Sequence, residues 1–275
     1  MTAAVHHFIR RLRRLGRSRI QPGTLDSLID VYSPELDDTR DIYVYLPPGY
    51  ADEVRRYPVV YMQDAQNLFH TGTGFLGSWH VEEAVIAATR LGQPCIVIGV
   101  PHAGVARIVE YSPFDDAHFG VGRGNLYLDF LVNTLKPQID QQYRTLRARR
   151  WTGIAGSSMG GLISMYAAFT RPETYGFAGA LSPSFWFAEG AIYPIIEASL
   201  ATAFSEIEVP RVYLDVGRYD GARAVADARR MRDVLLQNGY RTGADLRWVE
   251  DPKGGHNEAS WARRFRKALP ALLSA

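Results

Sequence analysis

The chain has 275 residues, 47% hydrophobic and 22% charged. These values are ordinary for a globular protein and exclude a disordered, collagen-like or coiled-coil chain. Thirty-one bases against 29 acids leave a formal charge of +2, too slight a surplus for nucleic acid to be the main partner.

Six arginines (Arg10, Arg11, Arg13, Arg14, Arg17 and Arg19) and no acid lie in residues 1–20, so the rest of the chain is mildly acidic. Val5, Phe8, Ile9, Leu12 and Leu15 recur there at helical spacing, predicting a basic amphipathic helix that ends near Gly16. Through residues 5–19 it could touch an anionic membrane surface, or it could dock its apolar stripe on the domain expected over 21–275. No apolar run approaches the ~20 residues of a bilayer span, and no apolar core follows the basic start as in a secretory signal. The lone Cys95 cannot form an intramolecular disulfide, which fits a reducing, cytoplasmic setting. Its place in the apolar run Cys95-Ile96-Val97-Ile98-Gly99-Val100 predicts a buried strand thiol.

Residues 25–32 and 41–46 flank a turn-rich stretch and read as an antiparallel hairpin, stopped by Pro47-Pro48-Gly49. From Pro58 onward short β-rich runs at 58–62, 95–100, 151–156, 177–181, 211–217 and 244–249 are interleaved with helical patterns. The helices fall at 81–91, 126–139, 161–169, 188–200, 222–238 and 258–273. This alternation predicts βαβ crossovers and a mostly parallel sheet with helices on both faces. Residues 101–124 form the longest stretch without periodicity, and a loop of that length is expected to border a functional site.

Gly156-Ser157-Ser158-Met159-Gly160 matches the G-x-S-x-G nucleophile elbow, and it lies where the elbow must lie, between a predicted strand and a predicted helix. Ser158 is then the nucleophile, and a serine hydroxyl needs a neighbouring base. In α/β-hydrolases the partners follow in the order Ser, acid, His. His256 is the one histidine after Ser158, in a loop between the last strand and the last helix. Asp220 follows the strand 211–217 directly and can reach that loop; Asp215 and Glu250 are the reserve acids. The N–H after the nucleophile, on Met159, supplies one oxyanion donor, and the loop Gln63-Asp64-Ala65-Gln66-Asn67 supplies the second. His6, His7, His70, His80, His102 and His118 show no metal-ligand spacing, and the reading requires no metal or organic cofactor.

Further runs widen the match: Val44-Tyr45-Leu46-Pro47-Pro48-Gly49-Tyr50, Tyr57-Pro58-Val59-Val60-Tyr61, Asp64-Ala65-Gln66-Asn67-Leu68-Phe69, Glu110-Tyr111-Ser112-Pro113, Leu181-Ser182-Pro183-Ser184-Phe185-Trp186 and Gly254-Gly255-His256-Asn257. From about residue 25 to the end the chain resembles the putative-esterase family of α/β-hydrolases, which includes siderophore esterases, feruloyl esterases, S-formylglutathione hydrolases and mycolyltransferases. Ser184-Phe185-Trp186 is closest to the siderophore-esterase-like bacterial members. The resemblance implies Ser158, Asp220 and His256 as a triad and the N–H groups of Gln66 and Met159 as oxyanion hole. It implies hydrolysis of a small carboxylic ester, with an acyltransferase sharing the same residues as the alternative and a non-catalytic binding role as the remoter one. The family usually has glycine where this chain has Ala65, so a positive φ at that position would strain the Gln66 donor. Trp79, Tyr111, Phe114, Phe185, Trp186 and Tyr219 fall in loops at the expected carboxyl edge of the sheet, where they would meet an acyl or aryl group or else hold the loops together. Arg107 and Arg218 are candidates to meet an anionic substrate.

Overall fold

In the strands Val59–Gln63 (β3) and Ile96–Val100 (β4) every residue is buried. Side chains alternate between sheet faces, so Val59, Tyr61, Ile96 and Ile98 join one apolar cluster while Val60, Met62 and Val97 join another. Continuous apolar strands therefore need helices on both sides. The computed structural model, which describes residues 22–70, 77–202 and 207–274, supplies them. The basic helix expected near the N-terminus lies outside the described residues.

The sheet has eight strands in the order β1-β2-β4-β3-β5-β6-β7-β8. Thr24–Ser33 (β1) and Asp38–Leu46 (β2) form the antiparallel hairpin, and β2 also runs antiparallel to β4. Thr152–Ser157 (β5), Phe177–Leu181 (β6), Arg211–Gly217 (β7) and Leu246–Asp251 (β8) continue in parallel with β3 and β4. Helices Val81–Arg90 (α1) and, at the C-terminal end, Glu258–Leu273 cover one face, through Ala84, Val85 and Ala88 from the first and Phe265, Ala268, Leu269 and Leu272 from the second. The other face is covered by Gly124–Asp129 (α2), Lys136–Gln142 (α3), Met159–Thr170 (α4), Ile192–Thr202 (α5) and Ala222–Gln237 (α6), which precede the C-terminal helix, α7. Each fully buried leucine or phenylalanine in these layers is worth roughly 1.5–3 kcal/mol.

Three departures from the expected element boundaries have a visible physical cause. The helix expected over 126–139 is α2, a π-helical stretch Phe130–Leu135 and α3 in succession; Pro137, which brings no N–H to the ladder, follows directly on the widened turn. The helix expected from residue 188 begins at Ile192, because Ala188 and Glu189 take left-handed φ values of 45° and 56°. The last strand begins at Leu246, since Arg241 and Asp245 close a turn through paired side-chain bonds of 2.7 and 2.9 Å. Cys95 is buried as expected, and burial pushes its thiol up to about 12. Among the described residues no helix is long and apolar enough to cross a membrane.

Candidate active site

Ser158 sits between β5 and α4 with φ 56° and ψ −122°, a conformation that a serine adopts only under constraint from its surroundings. The constraint is visible. Ser158 N–H donates to the Leu181 carbonyl at 3.1 Å, and the Ser158 carbonyl accepts from Ser184 N–H at 3.0 Å and from Leu162 N–H at 3.0 Å. Gly156 lets the chain turn this tightly, because a Cβ there would lie 2.6 Å from Gln63 Oε1 and 2.8 Å from the Gly160 carbonyl carbon. Since Leu162 makes the first i→i+4 bond, the Met159 N–H at the helix start has no intrahelical acceptor.

His256 Nε2 lies 3.0 Å from Ser158 Oγ. The imidazole packs edge-on against Trp261, ring centroids 4.9 Å apart and planes at 77°. Burial pushes His256 below its ordinary value of 6.5, against the pull of Asp220 and with the help of Arg264 and Arg107, so the ring is a neutral acceptor at pH 7. Asp220 Oδ1 stands 3.8 Å from His256 Nδ1, and its Oδ2 accepts Gly217 N–H at 2.7 Å. The turn that carries Asp220 meets the His256 loop glycine on glycine: a Cβ on Gly217 would fall 2.4 Å from the Gly254 carbonyl carbon. The reserve acids are engaged elsewhere. Asp215 is fully buried and accepts from Arg264 Nη1 at 2.9 Å and from Tyr213 O–H at 3.1 Å, and Glu250 pairs with Arg229 at 2.7 and 3.0 Å.

On the other side of the serine, the segment after β3 is pinned at three points. Gln66 Nε2 donates to the His102 carbonyl at 3.0 Å and Gln66 Oε1 accepts His102 N–H at 3.2 Å. Asp64 N–H donates to Tyr111 O–H oxygen at 3.2 Å, and the Asp64 carboxylate takes a bidentate bond from Arg107 at 2.6 and 2.8 Å. The expected strain at Ala65 does not arise: the left-handed residue is Asp64, φ 59°, while the buried Ala65 methyl packs over Gly99. All three anchors come from residues 101–124, so that stretch borders the site as its length implied.

The aromatic residues separate by burial. Trp79, Tyr111 and Phe185 have 4%, 0% and 0% of their surface exposed, so they hold loops and lack the surface to touch a substrate, contrary to their expected role. Trp79 packs on Trp261 and Phe265, Tyr111 on Tyr127, and Phe185 on Tyr193. Trp186 and Tyr219, 38% and 74% exposed, remain open. Arg107, expected as an anion ligand, instead commits its Nε and Nη2 to Asp64, so its charge is already paired with a carboxylate. Two features escaped the sequence reading. Ser184 Oγ lies 3.1 Å from Ser158 Oγ, foreshadowed only by its place in the run after β6. His70 and His80, which have no ligand-like spacing, meet at Glu82.

An eight-stranded, mostly parallel sheet with a strand–serine–helix elbow at the carboxyl end of a central strand, and an imidazole against that serine, is the architecture of the α/β-hydrolase class. The chain belongs to an esterase family: the family model described as "Putative esterase" matches residues 33–272. It is 31% identical over 248 residues to "Uncharacterized protein YbbA" of Bacillus subtilis, covering 85% of this chain and 92% of that one. It is 27% identical to the siderophore triacetylfusarinine C esterase of Aspergillus fumigatus, covering 70% of this chain and 66% of that enzyme. Among solved structures it is similar to an IroE-like serine hydrolase of Shewanella oneidensis, with a TM-score of 0.72, 19% identity and coverage of 90% of this chain and 79% of the other. It is also similar to a ferulic acid esterase of Anaeromyces mucronatus solved with ferulic acid, with a TM-score of 0.67, 21% identity and coverage of 93% and 94%.

Proposed function

We propose that this esterase cleaves small carboxylic esters through an acyl-serine intermediate on Ser158. The observation that carries the reading is the 3.0 Å contact between His256 Nε2 and Ser158 Oγ on a left-handed elbow. Neutral His256 takes the hydroxyl proton as Ser158 Oγ attacks the ester carbonyl, and then delivers that proton to the leaving alcohol as the C–O bond breaks. Water enters by the same route in reverse and frees the acid. Asp220 orients the ring and stabilises the imidazolium. The Met159 and Gln66 N–H groups receive the negative charge of the tetrahedral intermediate, each donor worth roughly 3 kcal/mol.

Trp186, two residues after Ser184, and Tyr219, next to Asp220, offer exposed aromatic surface for an acyl or aryl group. The siderophore esterase and ferulic acid esterase among the similar proteins make a trilactone siderophore and a feruloyl ester the first substrates to try. The test is Ser158→Ala assayed on a short p-nitrophenyl ester, together with fluorophosphonate labelling of the native chain. Turnover is expected to fall on the order of 10⁵-fold or more, and the label to be found on Ser158 and absent from the variant. Near-native activity in Ser158→Ala would remove the serine from the mechanism.

A further inference from the structure

We propose that His70, His80 and Glu82 form a zinc site that clips the two ends of the 70–80 segment together. This goes beyond the esterase reading and does not depend on it. The three residues offer two imidazole nitrogens and a carboxylate oxygen, all within 4.8 Å of one another. His70 Nδ1 contacts Glu82 Oε1, and His80 Nδ1 lies 2.9 Å from His70 Nδ1.

Proton bookkeeping singles this cluster out. Two imidazole nitrogens at 2.9 Å share at most one proton between them, yet the His70 nitrogen also faces the carboxylate oxygen. At most one ring N–H therefore lies among these three atoms, and Glu82 Oε1 also accepts the His70 backbone N–H at 3.2 Å. Glu82 Oε2 is buried with no hydrogen-bond partner among the described residues, so the carboxylate is only half compensated. A cation among the three atoms would accept a lone pair from each and balance the charge.

The backbone fixes these donors before any metal arrives. His80 is held in the left-handed region at φ 49°, with its N–H donated to Ser78 Oγ at 3.0 Å, and it immediately precedes α1, whose first turn carries Glu82. Trp79 N–H donates to the Asn67 carbonyl at 2.7 Å and Val81 N–H to the Leu68 carbonyl at 3.0 Å, locking the arm that carries His80 onto the arm that carries His70. The rings cross edge to face at 4.4 Å. A cavity of about 200 Å³ lined by Tyr45, Phe69, His70, Glu82 and Ile86 adjoins the cluster.

Two nitrogens and one carboxylate oxygen suit zinc and its transition-metal neighbours better than calcium or magnesium, which prefer all-oxygen shells. At Zn–N and Zn–O distances of about 2.0–2.2 Å, tetrahedral donors lie roughly 3.3 Å apart. The His70–His80 nitrogens at 2.9 Å and the still closer His70–Glu82 contact are tighter than that spacing, so the exposed His70 side chain must swing outward to admit the ion. The fourth position would take water.

The full chain, stripped with EDTA and dialysed against micromolar buffered Zn²⁺, is expected to retain one zinc by elemental analysis and to melt at a higher temperature than the stripped form. His70→Ala and Glu82→Gln should each weaken zinc retention at least tenfold and abolish the zinc-dependent rise in melting temperature. Ester hydrolysis by these variants should stay near native, reporting that they are folded. His6 and His7 are rival ligands, so His6→Ala/His7→Ala should retain the zinc. Substituted Co²⁺ should show visible absorption of low-coordinate type in the native chain and lose it in Glu82→Gln. Failure of the native chain to hold zinc, or retention unchanged in both His70→Ala and Glu82→Gln, overturns the proposal.

Discussion

Asp220 Oδ1 and His256 Nδ1 face each other across 3.8 Å, and that oxygen is buried without a hydrogen-bond partner among the described residues. The separation is too long for a hydrogen bond, while the second carboxylate oxygen is already committed to Gly217 N–H at 2.7 Å. A neutral ring that accepts at Nε2 carries its proton on Nδ1, facing this unpartnered oxygen, and the attraction between the two would grow if the ring became an imidazolium. Asp220→Asn keeps an acceptor for Gly217 and removes the charge. It should lower kcat by about 10³–10⁴-fold with little change in KM. A loss under tenfold in steady-state kinetics would separate Asp220 from the reaction.

The acid limb of the rate profile follows from the environment of His256. Burial lowers its titration from 6.5, an effect only partly opposed by Asp220. A base must be neutral, so kcat/KM should rise with pH, with its midpoint below 6.5. In Asp220→Asn the opposing pull is gone, and the midpoint should move to still lower pH. A profile of kcat/KM against pH for both proteins checks the direction, and an upward move in the variant would contradict it.

Much of this site was legible because the motif and the fold share one cause. Gly156 and Ser158 need a strand-to-helix turn, and the apolar run at 151–156 and the helical run at 161–169 announce that turn on either side. The position of His256 after the last strand is equally a matter of order along the chain. Burial is another matter. Trp79, Tyr111 and Phe185 lie in loops, and whether a loop aromatic faces outward depends on distant elements such as α7 for Trp79 and α2 for Tyr111. The Arg107–Asp64 pair spans 43 positions and the convergence of His70, His80 and Glu82 has no regular spacing. Neither leaves a periodic trace to read.

Arg264 holds a charge that the interior would otherwise reject. Asp215 is fully buried; burial raises its carboxyl to about 7, against Arg264, Tyr213 and Ser182, which favour the ionised form. Arg264 also donates from Nη2 to Ser182 Oγ at 2.8 Å, the same oxygen that accepts Trp261 Nε1–H at 3.1 Å. Arg264→Leu would strand the carboxylate without its cation, at a cost of about 3–5 kcal/mol. With about 2–4 °C lost per kcal/mol at this size, calorimetry should find a large drop in melting temperature. The drop should be smaller at pH 5 than at pH 8, since a protonated Asp215 no longer needs the arginine. An equal drop at both values would show that the pair is not what Arg264 contributes.

The glycine contact between the acid turn and the histidine loop gives a test of positioning with its own control. A Cβ on Gly217 would stand 2.4 Å from the Gly254 carbonyl carbon, and one on Gly254 would stand 2.7 Å from the Gly217 Cα. Both obstacles are backbone, so neither yields to a side-chain rotation, and the two segments must move apart. Gly255 is the neighbour for which this argument fails, because its nearest obstacle is the Asn257 Nδ2 atom at 3.4 Å, an ordinary contact. Separation of the loops draws His256 away from Asp220 and Ser158 together, and a misplacement near 1 Å costs about 10²-fold in rate. Gly217→Ala and Gly254→Ala should therefore each depress kcat by about that factor, while Gly255→Ala stays within a few-fold of native. Fluorophosphonate labelling should slow in the same order. Should all three variants behave alike, the close approach of Gly217 and Gly254 would not be what sets the distance between the carboxylate and the imidazole.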